Sequence, residues 1–145
     1  MEMNGRPLNV VLTDDDLEDC TFFKKAIEGL SINTKLTTLH DGVQLMTYLT
    51  EHYEDLPDVI FLDLGMPRKT GFECLSEINE NPKLKGINVI MFSSSFERGI
   101  DFERGFTNML YKIGAYDYLN KTHDLEKFKK VLHKALAMVT EKINA

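Results

Sequence analysis

The sequence predicts an α/β fold in which one parallel sheet of five strands lies between two layers of helices. Apolar runs bounded by turn residues recur five times along the 145 residues, and helical patterns fill the intervals between them. Strands that alternate with helices are joined by right-handed crossovers, which make the strands parallel and cover both faces of the sheet. We therefore expect a flavodoxin-like (βα)5 three-layer sandwich with the strand order 2-1-3-4-5.

The predicted strands are short runs of apolar and β-branched residues. The third is the clearest, because the continuous apolar run 59–62 is typical of a strand that is buried on both faces. It follows Pro57 and ends at Asp63, a carboxylate that would be costly to bury without a partner. In chain order, the predicted strands are Leu8–Thr13, Thr34–Leu39, Val59–Asp63, 87–92 and 116–119.

The predicted helices show apolar residues at three- and four-residue spacing, which is the pattern of one buried face. Asp16 can cap the first helix, and Asp41-Gly42 opens the second. The third should end near Asn81, because Pro82 follows. In chain order, the apolar positions that mark the five helices are Leu17, Cys20, Phe23, Ile27 and Leu30; Leu45, Met46, Leu49 and Tyr53; Phe72, Leu75 and Ile78; Phe102, Phe106, Met109, Leu110 and Ile113; and Leu125, Phe128, Leu132, Leu136, Val139 and Ile143.

Length and composition predict one domain over residues 1–145, with its core at about 8–143, because single domains commonly have roughly 100–200 residues. The net charge of −6 argues against binding to nucleic acid or to membrane surfaces, since both are polyanions. No apolar stretch approaches the ~20 residues of a membrane span, and the start of the chain is not a secretion signal. We therefore expect a cytoplasmic protein, in which Cys20 and Cys74 are buried, reduced thiols.

Polar residues follow four of the predicted strands. Asp14 and Asp15 follow the first, Asp63 ends the third, and Ser93 and Lys121 follow the fourth and fifth. In this strand order the carboxyl ends of these strands lie close together, so we expect one shallow cleft. Three carboxylates there would repel one another, whereas Mg²⁺ takes oxygen ligands. The sequence therefore predicts a Mg²⁺ site in which Asp63 is a candidate nucleophile toward phosphorus.

The other groups of this cleft suit phosphoryl transfer. The transition state spreads negative charge over three oxygens, which a metal, an ammonium and hydroxyl or amide donors can stabilise. Lys121 would supply the ammonium and Ser93 the hydroxyl. The backbone amides near Gly65 and Ser94 could supply further donors.

These residues resemble the receiver domains of bacterial two-component response regulators, in particular single-domain receivers like the chemotaxis and phytochrome regulators. The resemblance covers nearly the whole chain in order. It rests on the acidic cluster 14–16, the segment 61–71 with its Asp-Leu-x-Met-Pro-x-x-x-Gly loop, the Ser93-Ser94 step, and the segment 118–121 with the sequence Tyr-Leu-Asn-Lys.

The resemblance implies a role for each site residue. It implies that Asp63 accepts the phosphoryl group, and that Asp14 and Asp15 are the acidic Mg²⁺ pair. The further roles that it implies are the Gly65 carbonyl as a metal ligand, Ser93 as the hydroxyl that follows the phosphoryl group, Ser94 as a backbone contact to that group, Lys121 as the lysine of the site, and Tyr118 as the aromatic switch.

The resemblance also implies partners. A histidine kinase or a histidine phosphotransfer protein would donate the phosphoryl group, and a downstream protein would bind the face made by the fourth helix, fifth strand and fifth helix. The protein would act as a stand-alone regulator or a phosphorelay intermediate without an output domain, as a monomer or weak homodimer. It would catalyse only its own phosphotransfer and autodephosphorylation, and would not be an enzyme otherwise.

Three features depart from the family pattern, and one of them is that Gly65 and Ser95, each two residues past a site residue, are small and would neither block nor strongly orient an attacking water. Thr122 stands where the family usually has a proline after the lysine. The stretch 95–112 is several residues longer than usual and contains Gly99 and Gly105. This lengthening falls on the surface that normally signals.

The sequence fits three other functions less well. A flavodoxin-like flavin binder needs a Ser/Thr/Gly phosphate loop after the first strand, where this chain has three acids. A metal-dependent phosphohydrolase needs a second acid or base near Asp63, commonly two residues on, where Gly65 stands. A degenerate receiver that only binds other proteins is disfavoured because the acid pair, acceptor, hydroxyl and lysine are all present.

Overall fold

The computed structural model describes residues 6–94 and 100–145, with the backbone alone for residues 100–103. Strands and helices alternate through the described part as the sequence predicts. In chain order they are β1 (Leu8–Thr13), α1 (Leu17–Glu28), β2 (Thr34–Leu39), α2 (Gly42–Glu51), β3 (Val59–Asp63), α3 (Gly71–Glu80), β4 (Asn88–Ser93), α4 (Ile100–Ile113), β5 (Asp117–Asn120) and α5 (Leu125–Asn144).

The described strands form one parallel sheet with the order β2-β1-β3-β4-β5, which confirms the predicted topology. Alternate residues of the central strands enter two separate cores. Leu8, Val10 and Leu12 of β1 pack with α1 and α5, whereas Val11 belongs to the core that includes α2 and α3. The apolar run of β3 is fully buried because it contributes to both cores.

Side chains cap the helices at their predicted starts. Asp16 Oδ1 accepts hydrogen bonds from the backbone N–H groups of Glu18 and Asp19, at 2.9 and 3.1 Å. Asp41 Oδ1 accepts from Gln44 N at 2.8 Å and caps α2. Such caps satisfy N–H groups that have no partner within the helix.

Two strand boundaries differ from the prediction. β4 and β5 each begin and end one residue later than the apolar runs 87–92 and 116–119 indicate. The reason is that the backbone ladder pairs Ser93 with Asn120, although both side chains are polar. Hydrogen bonding in a ladder depends on the backbone, so polar residues at the end of a sheet are included in the strand.

The connection between β3 and α3 packs closely against its neighbours. A Cβ atom at Gly71 would lie 2.2 Å from the backbone oxygen of Asp63, and one at Gly42 would lie 2.3 Å from that of Lys69. Only glycine allows such a close approach of two backbone segments. These two contacts fix the path of the chain directly after Asp63.

Both cysteines are buried and free, as predicted. Cys20 lies in the core with α1 and α5, and its Sγ donates to the backbone oxygen of Asp14 at 3.3 Å. Burial, together with the charge of Asp14, raises the pKa of the Cys20 thiol to about 11. Cys74 lies in the other core, and burial raises its pKa to about 12.

The lengthened stretch 95–112 is described from Ile100 onward, where it forms most of α4, and residues 95–99 lie outside the described part. Among the helices of the described part, none is long and apolar enough to cross a membrane.

Candidate functional site

A cavity of about 480 Å³ opens at the carboxyl edge of the sheet, where the sequence predicts the site. Its walls come from the ends of β1, β3, β4 and β5 and from α1 and α4. It is lined by Asp15, Asp16, Asp19, Asp63, Leu64, Gly65, Ser93, Ser94, Phe106 and Lys121.

Three carboxylates meet in this cavity. One oxygen from each of Asp14, Asp15 and Asp63 lies within 4.8 Å of the other two. The Asp14 side chain is fully buried, that of Asp63 is 10% exposed, and Asp15 is exposed at the mouth. Asp14 Oδ1 accepts a hydrogen bond from the backbone N–H of Asp16 at 3.0 Å, which fixes the orientation of the carboxylate.

Lys121 brings one ammonium into the carboxylate cluster. Its Nζ lies 2.8 Å from Asp14 Oδ2, 2.9 Å from Asp19 Oδ2 and 3.4 Å from Asp63 Oδ1. The backbone N–H of Lys121 donates to the oxygen of Ser93 at 2.7 Å and so fixes the start of the loop after β5. All described peptide bonds are trans, including that between Lys121 and Thr122, and Lys121 reaches the cluster in this conformation.

The electrostatics of the cluster change the pKa of two groups. Burial raises the pKa of Asp63 to about 6, the charge of Asp14 acts in the same direction, and Lys121 and the Gly65 N–H oppose it. Burial alone would lower the pKa of Lys121, but its contacts with Asp14 and Asp19 and the charge of Asp63 outweigh burial and raise it. Lys121 is therefore charged at neutral pH, and its single charge faces several carboxylates.

The donor set fits a hard divalent cation. Asp14 Oδ2 is buried and accepts no well-aligned hydrogen bond from the described residues, although the Lys121 ammonium lies 2.8 Å away. Three carboxylate oxygens within 4.8 Å of one another are the type of ligand that such cations prefer. Asp15 faces solvent at the mouth, so a cation bound here could also keep water ligands.

Ser93 and Tyr118 connect the cavity to β5. Ser93 is buried, and its Oγ donates to the backbone oxygen of Ser94 at 3.1 Å. The Tyr118 hydroxyl lies 3.1 Å from Ser93 Oγ and 3.2 Å from Asn120 Oδ1. The half-buried Tyr118 ring packs against the core that contains Met91 and Leu110. A change at Ser93 can therefore reach the surface of β5 through one side chain.

The structure brings together the residues that the sequence predicts for the cleft. Asp14, Asp15, Asp63 and Lys121 meet directly, whereas Tyr118 does not line the cavity and contacts Ser93, which does. The other three predicted residues, Gly65, Ser93 and Ser94, line the cavity.

The sequence does not predict Asp19, Leu64 and Phe106 as residues of the cavity, although all three line it. Asp19 lies in the first turn of α1 and forms an ion pair with Lys121. For Phe106 of α4 the sequence leaves open a place in the core or on a partner surface, and neither interpretation places it in the cavity. The available signal was the position of Asp19 in the first turn of α1, which begins close to the carboxyl end of β1.

Comparisons with known proteins agree with this geometry. The family described as the response regulator receiver domain matches residues 10–133. The response regulator Rcp1 of Synechocystis sp. is 29% identical over 130 residues, which cover 87% of this chain and 84% of Rcp1. The crystal structure of the Mn²⁺-bound form of Rcp1 has 28% identity and a TM-score of 0.71, and the match covers 93% of this chain and 91% of that one.

A further solved structure is that of the phosphorylated cyanobacterial phytochrome response regulator RcpA. It has 27% identity and a TM-score of 0.72, with 86% of this chain and 88% of that chain covered. The flavin binder and the degenerate receiver are not favoured by any of these matches. The acidic cleft and the match over residues 10–133 lead to one conclusion: this chain belongs to the response regulator receiver domain family and is a phosphoryl-accepting signalling switch.

Proposed function

We propose that Asp63 is the residue that accepts the phosphoryl group, and that Asp14, Asp15 and the Gly65 carbonyl hold a Mg²⁺ ion beside it. The observation that carries this proposal is the cluster of three carboxylates within 4.8 Å, with the Lys121 ammonium 3.4 Å from Asp63. Asp63 is open to the cavity, whereas Asp14 is fully buried, so Asp63 is the better placed of the two to receive a phosphoryl group.

In the proposed reaction, a carboxylate oxygen of Asp63 attacks the phosphorus of a phosphohistidine. The new P–O bond forms as the P–N bond breaks, and the electron pair leaves with the imidazole, which takes up a proton. Bound Mg²⁺ would supply positive charge that balances the carboxylates and the phosphoryl oxygens. Lys121 would pair with one phosphoryl oxygen, and the Ser93 hydroxyl and the Ser94 backbone N–H would donate to the others.

Phosphorylation would be signalled through Ser93 and Tyr118. A hydroxyl has one hydrogen, so Ser93 cannot donate to the Ser94 oxygen and to a phosphoryl oxygen at the same time. A new bond from Ser93 to the phosphoryl group would change its 3.1 Å contact with the Tyr118 hydroxyl. The face formed by α4, β5 and α5 would then repack and bind a downstream protein.

The donor would be a histidine kinase or a histidine phosphotransfer protein. The switch would act as a stand-alone regulator or as a phosphorelay intermediate, in a monomer or weak homodimer. Its own chemistry would be limited to phosphotransfer onto Asp63 and to hydrolysis of the product. The absence of a second acid or base two residues after Asp63, where Gly65 stands, supports this limit.

Acetyl phosphate and Mg²⁺ provide a direct test, because they require no knowledge of the kinase. The wild-type protein should gain one phosphoryl group by intact-protein mass spectrometry, and Asp63→Asn should gain none. Asp55→Asn, at an exposed acid outside the cavity, is the matched control and should be phosphorylated like the wild type. An equal gain of mass in the Asp63→Asn variant would show that another residue accepts the phosphoryl group.

A further inference from the structure

Asp19 is a carboxylate that the proposed phosphoryl chemistry does not use, although it contacts the lysine on which that chemistry depends. Asp19 Oδ2 lies 2.9 Å from Lys121 Nζ, and Asp14 Oδ2 lies 2.8 Å from it. The acceptor oxygen of Asp63 is farther away, at 3.4 Å. The ammonium therefore lies closer to two other carboxylates than to the residue it would assist.

The position of Asp19 is set by α1 and does not depend on Asp63. Asp19 is in the first turn of the helix, and its backbone N–H donates to the capping carboxylate of Asp16 at 3.1 Å. Its side chain is 28% exposed and that of Lys121 is 14% exposed, so solvent screens their ion pair only in part. Asp19 also lines the cavity into which a phosphoryl group would enter.

An ammonium has three N–H donors, and three carboxylates now surround it. Pairing with a phosphoryl oxygen on Asp63 would require Lys121 to give up one of its present partners. Asp14 is fully buried, so without Lys121 its carboxylate would depend on the proposed cation alone and could not be hydrated. The Asp19 carboxylate can be hydrated when it is released, because it is partly exposed. Asp19 is therefore the partner that Lys121 would leave.

We propose that Asp19 is a positioning residue that competes with a phosphoryl group on Asp63 for the Lys121 ammonium and so opposes phosphorylation. This inference rests on the roles of Asp63 and Lys121 proposed above. Its consequence is that the switch has a built-in bias toward the unphosphorylated form, set by the strength of one ion pair. Removal of the Asp19 charge should release Lys121 toward the acceptor.

The test compares wild type, Asp19→Asn and Glu18→Gln as full-length chains. Beryllofluoride, a phosphoryl mimic, is titrated into protein saturated with Mg²⁺, and binding is followed by NMR. Asp19→Asn should bind beryllofluoride about two- to tenfold more tightly, as expected from the loss of one partly screened ion pair. Glu18→Gln removes an equal charge from the same exposed turn of α1 and should bind like the wild type.

Separate Mg²⁺ titrations distinguish positioning from a structural role. Asp19→Asn removes a negative charge beside the cation site, so its affinity for Mg²⁺ should not rise while its affinity for beryllofluoride does. A merely structural defect in α1 would weaken both. Asp19→Glu, which keeps the charge, should return beryllofluoride binding toward the wild-type value.

The Lys121→Met background provides the decisive control. If Asp19 acts through the lysine, Asp19→Asn should have no effect on beryllofluoride binding when Lys121 is absent. An equal gain in both backgrounds would indicate general charge repulsion and would overturn the positioning role, as would a gain no larger than that of Glu18→Gln. Failure of the wild type to bind beryllofluoride would instead contradict the proposed function itself.

Discussion

The environment of Asp63 disfavours the ionised form of its carboxyl group. Burial raises its pKa to about 6, and the neighbouring charge of Asp14 adds to the effect. The Lys121 ammonium balances only part of this negative charge, because it also forms ion pairs with Asp14 and Asp19. An ionised carboxylate that lacks full compensation gains from any added positive charge or hydrogen-bond donor. At the residue scale, this is why the cleft favours a cation and, with it, a phosphoryl group.

The raised pKa predicts how Asp63 affects stability. The pKa of Asp63 in the folded chain, about 6, is above its ordinary value of 3.8. The contribution of Asp63 to stability is therefore fully present below the pKa of the unfolded chain, and it is lost as the pH rises through the pKa of the folded chain. Without metal at pH 7.5, Asp63→Asn should raise the free energy of unfolding by about 1–3 kcal/mol. At pH 4.5 the gain should be much smaller. Urea unfolding with chelator at both values measures the difference.

Asp55→Asn is the control for this experiment, because it removes an exposed carboxylate outside the cavity. Its effect on the free energy of unfolding should be small at both pH values, as is usual for surface substitutions. A gain for Asp63→Asn that is the same at pH 4.5 and 7.5 would contradict the raised pKa.

The sequence predicted the site residues better than their contacts. Asp14, Asp15, Asp63 and Lys121 were found because each lies at the end of a strand, and the topology brings strand ends together. The ion pair between Asp19 and Lys121 was missed because it joins a helix to a loop that are 102 residues apart in the chain. Such contacts depend on side-chain rotamers and helix placement, which no local pattern encodes.

At the element scale, the connection from β3 to α3 determines where Asp63 lies. Thr70 and Glu73 form a capping box that starts α3, and Gly71 N donates to Leu64 O at 3.2 Å. Arg68 has a φ of 68°, which is uncommon for a residue other than glycine. Its guanidinium lies 3.7 Å from the Asp41 carboxylate at the start of α2. The loop is therefore held by the hydrogen bond between Gly71 and Leu64 and by the contact between Arg68 and Asp41.

The close packing of this connection predicts a strong effect for Gly71→Ala. The added Cβ would lie within 3.0 Å of three backbone atoms of Asp63 and Leu64, and backbone cannot move aside as a flexible side chain can. The free energy of unfolding should fall by about 1–3 kcal/mol, and Mg²⁺ should bind more weakly because Asp63 is displaced. Chemical denaturation and metal titration would measure the two effects.

Gly86→Ala is the matched control for Gly71→Ala, since a Cβ at Gly86 would meet nothing within 4 Å. This variant should keep the stability and the metal affinity of the wild type to within about 0.5 kcal/mol. If Gly71→Ala behaved in the same way, the close contact with Asp63 would not determine the position of the acceptor.

At the scale of the whole molecule, the two edges of the sheet differ in how their polar groups are paired. At the amino edge, Arg6 and Asp58 form two hydrogen bonds of 3.0 Å, and Asp58 Oδ2 also accepts from Asn9 N at 2.7 Å. Lys142 of α5 donates to Asn88 Oδ1 at 2.6 Å on the same edge. At the carboxyl edge, several carboxylates share one lysine. The proposed site is therefore at the edge where several carboxylates depend on one positive charge.

This contrast predicts that Mg²⁺ stabilises the whole fold. A ligand that binds only the folded chain adds about 2.7 kcal/mol at a free concentration 100 times its Kd. For a chain of this size, the Tm should rise by roughly 5–10 °C. Asp15→Asn should lose most of this rise because it removes a proposed ligand, whereas Asp55→Asn should keep it. A rise of equal size in the Asp15→Asn variant would exclude Asp15 from the metal site.

The two thiols allow each side of the sheet to be probed without any substitution. Cys20 and Cys74 are buried in different cores. Because burial raises the pKa of both thiols, almost no thiolate is present in the folded state at neutral pH. Alkylation of either thiol should therefore be faster when the packing around that thiol opens. The ratio of the two modification rates, measured with and without a phosphoryl mimic, would reveal which layer loosens or tightens when the switch changes state.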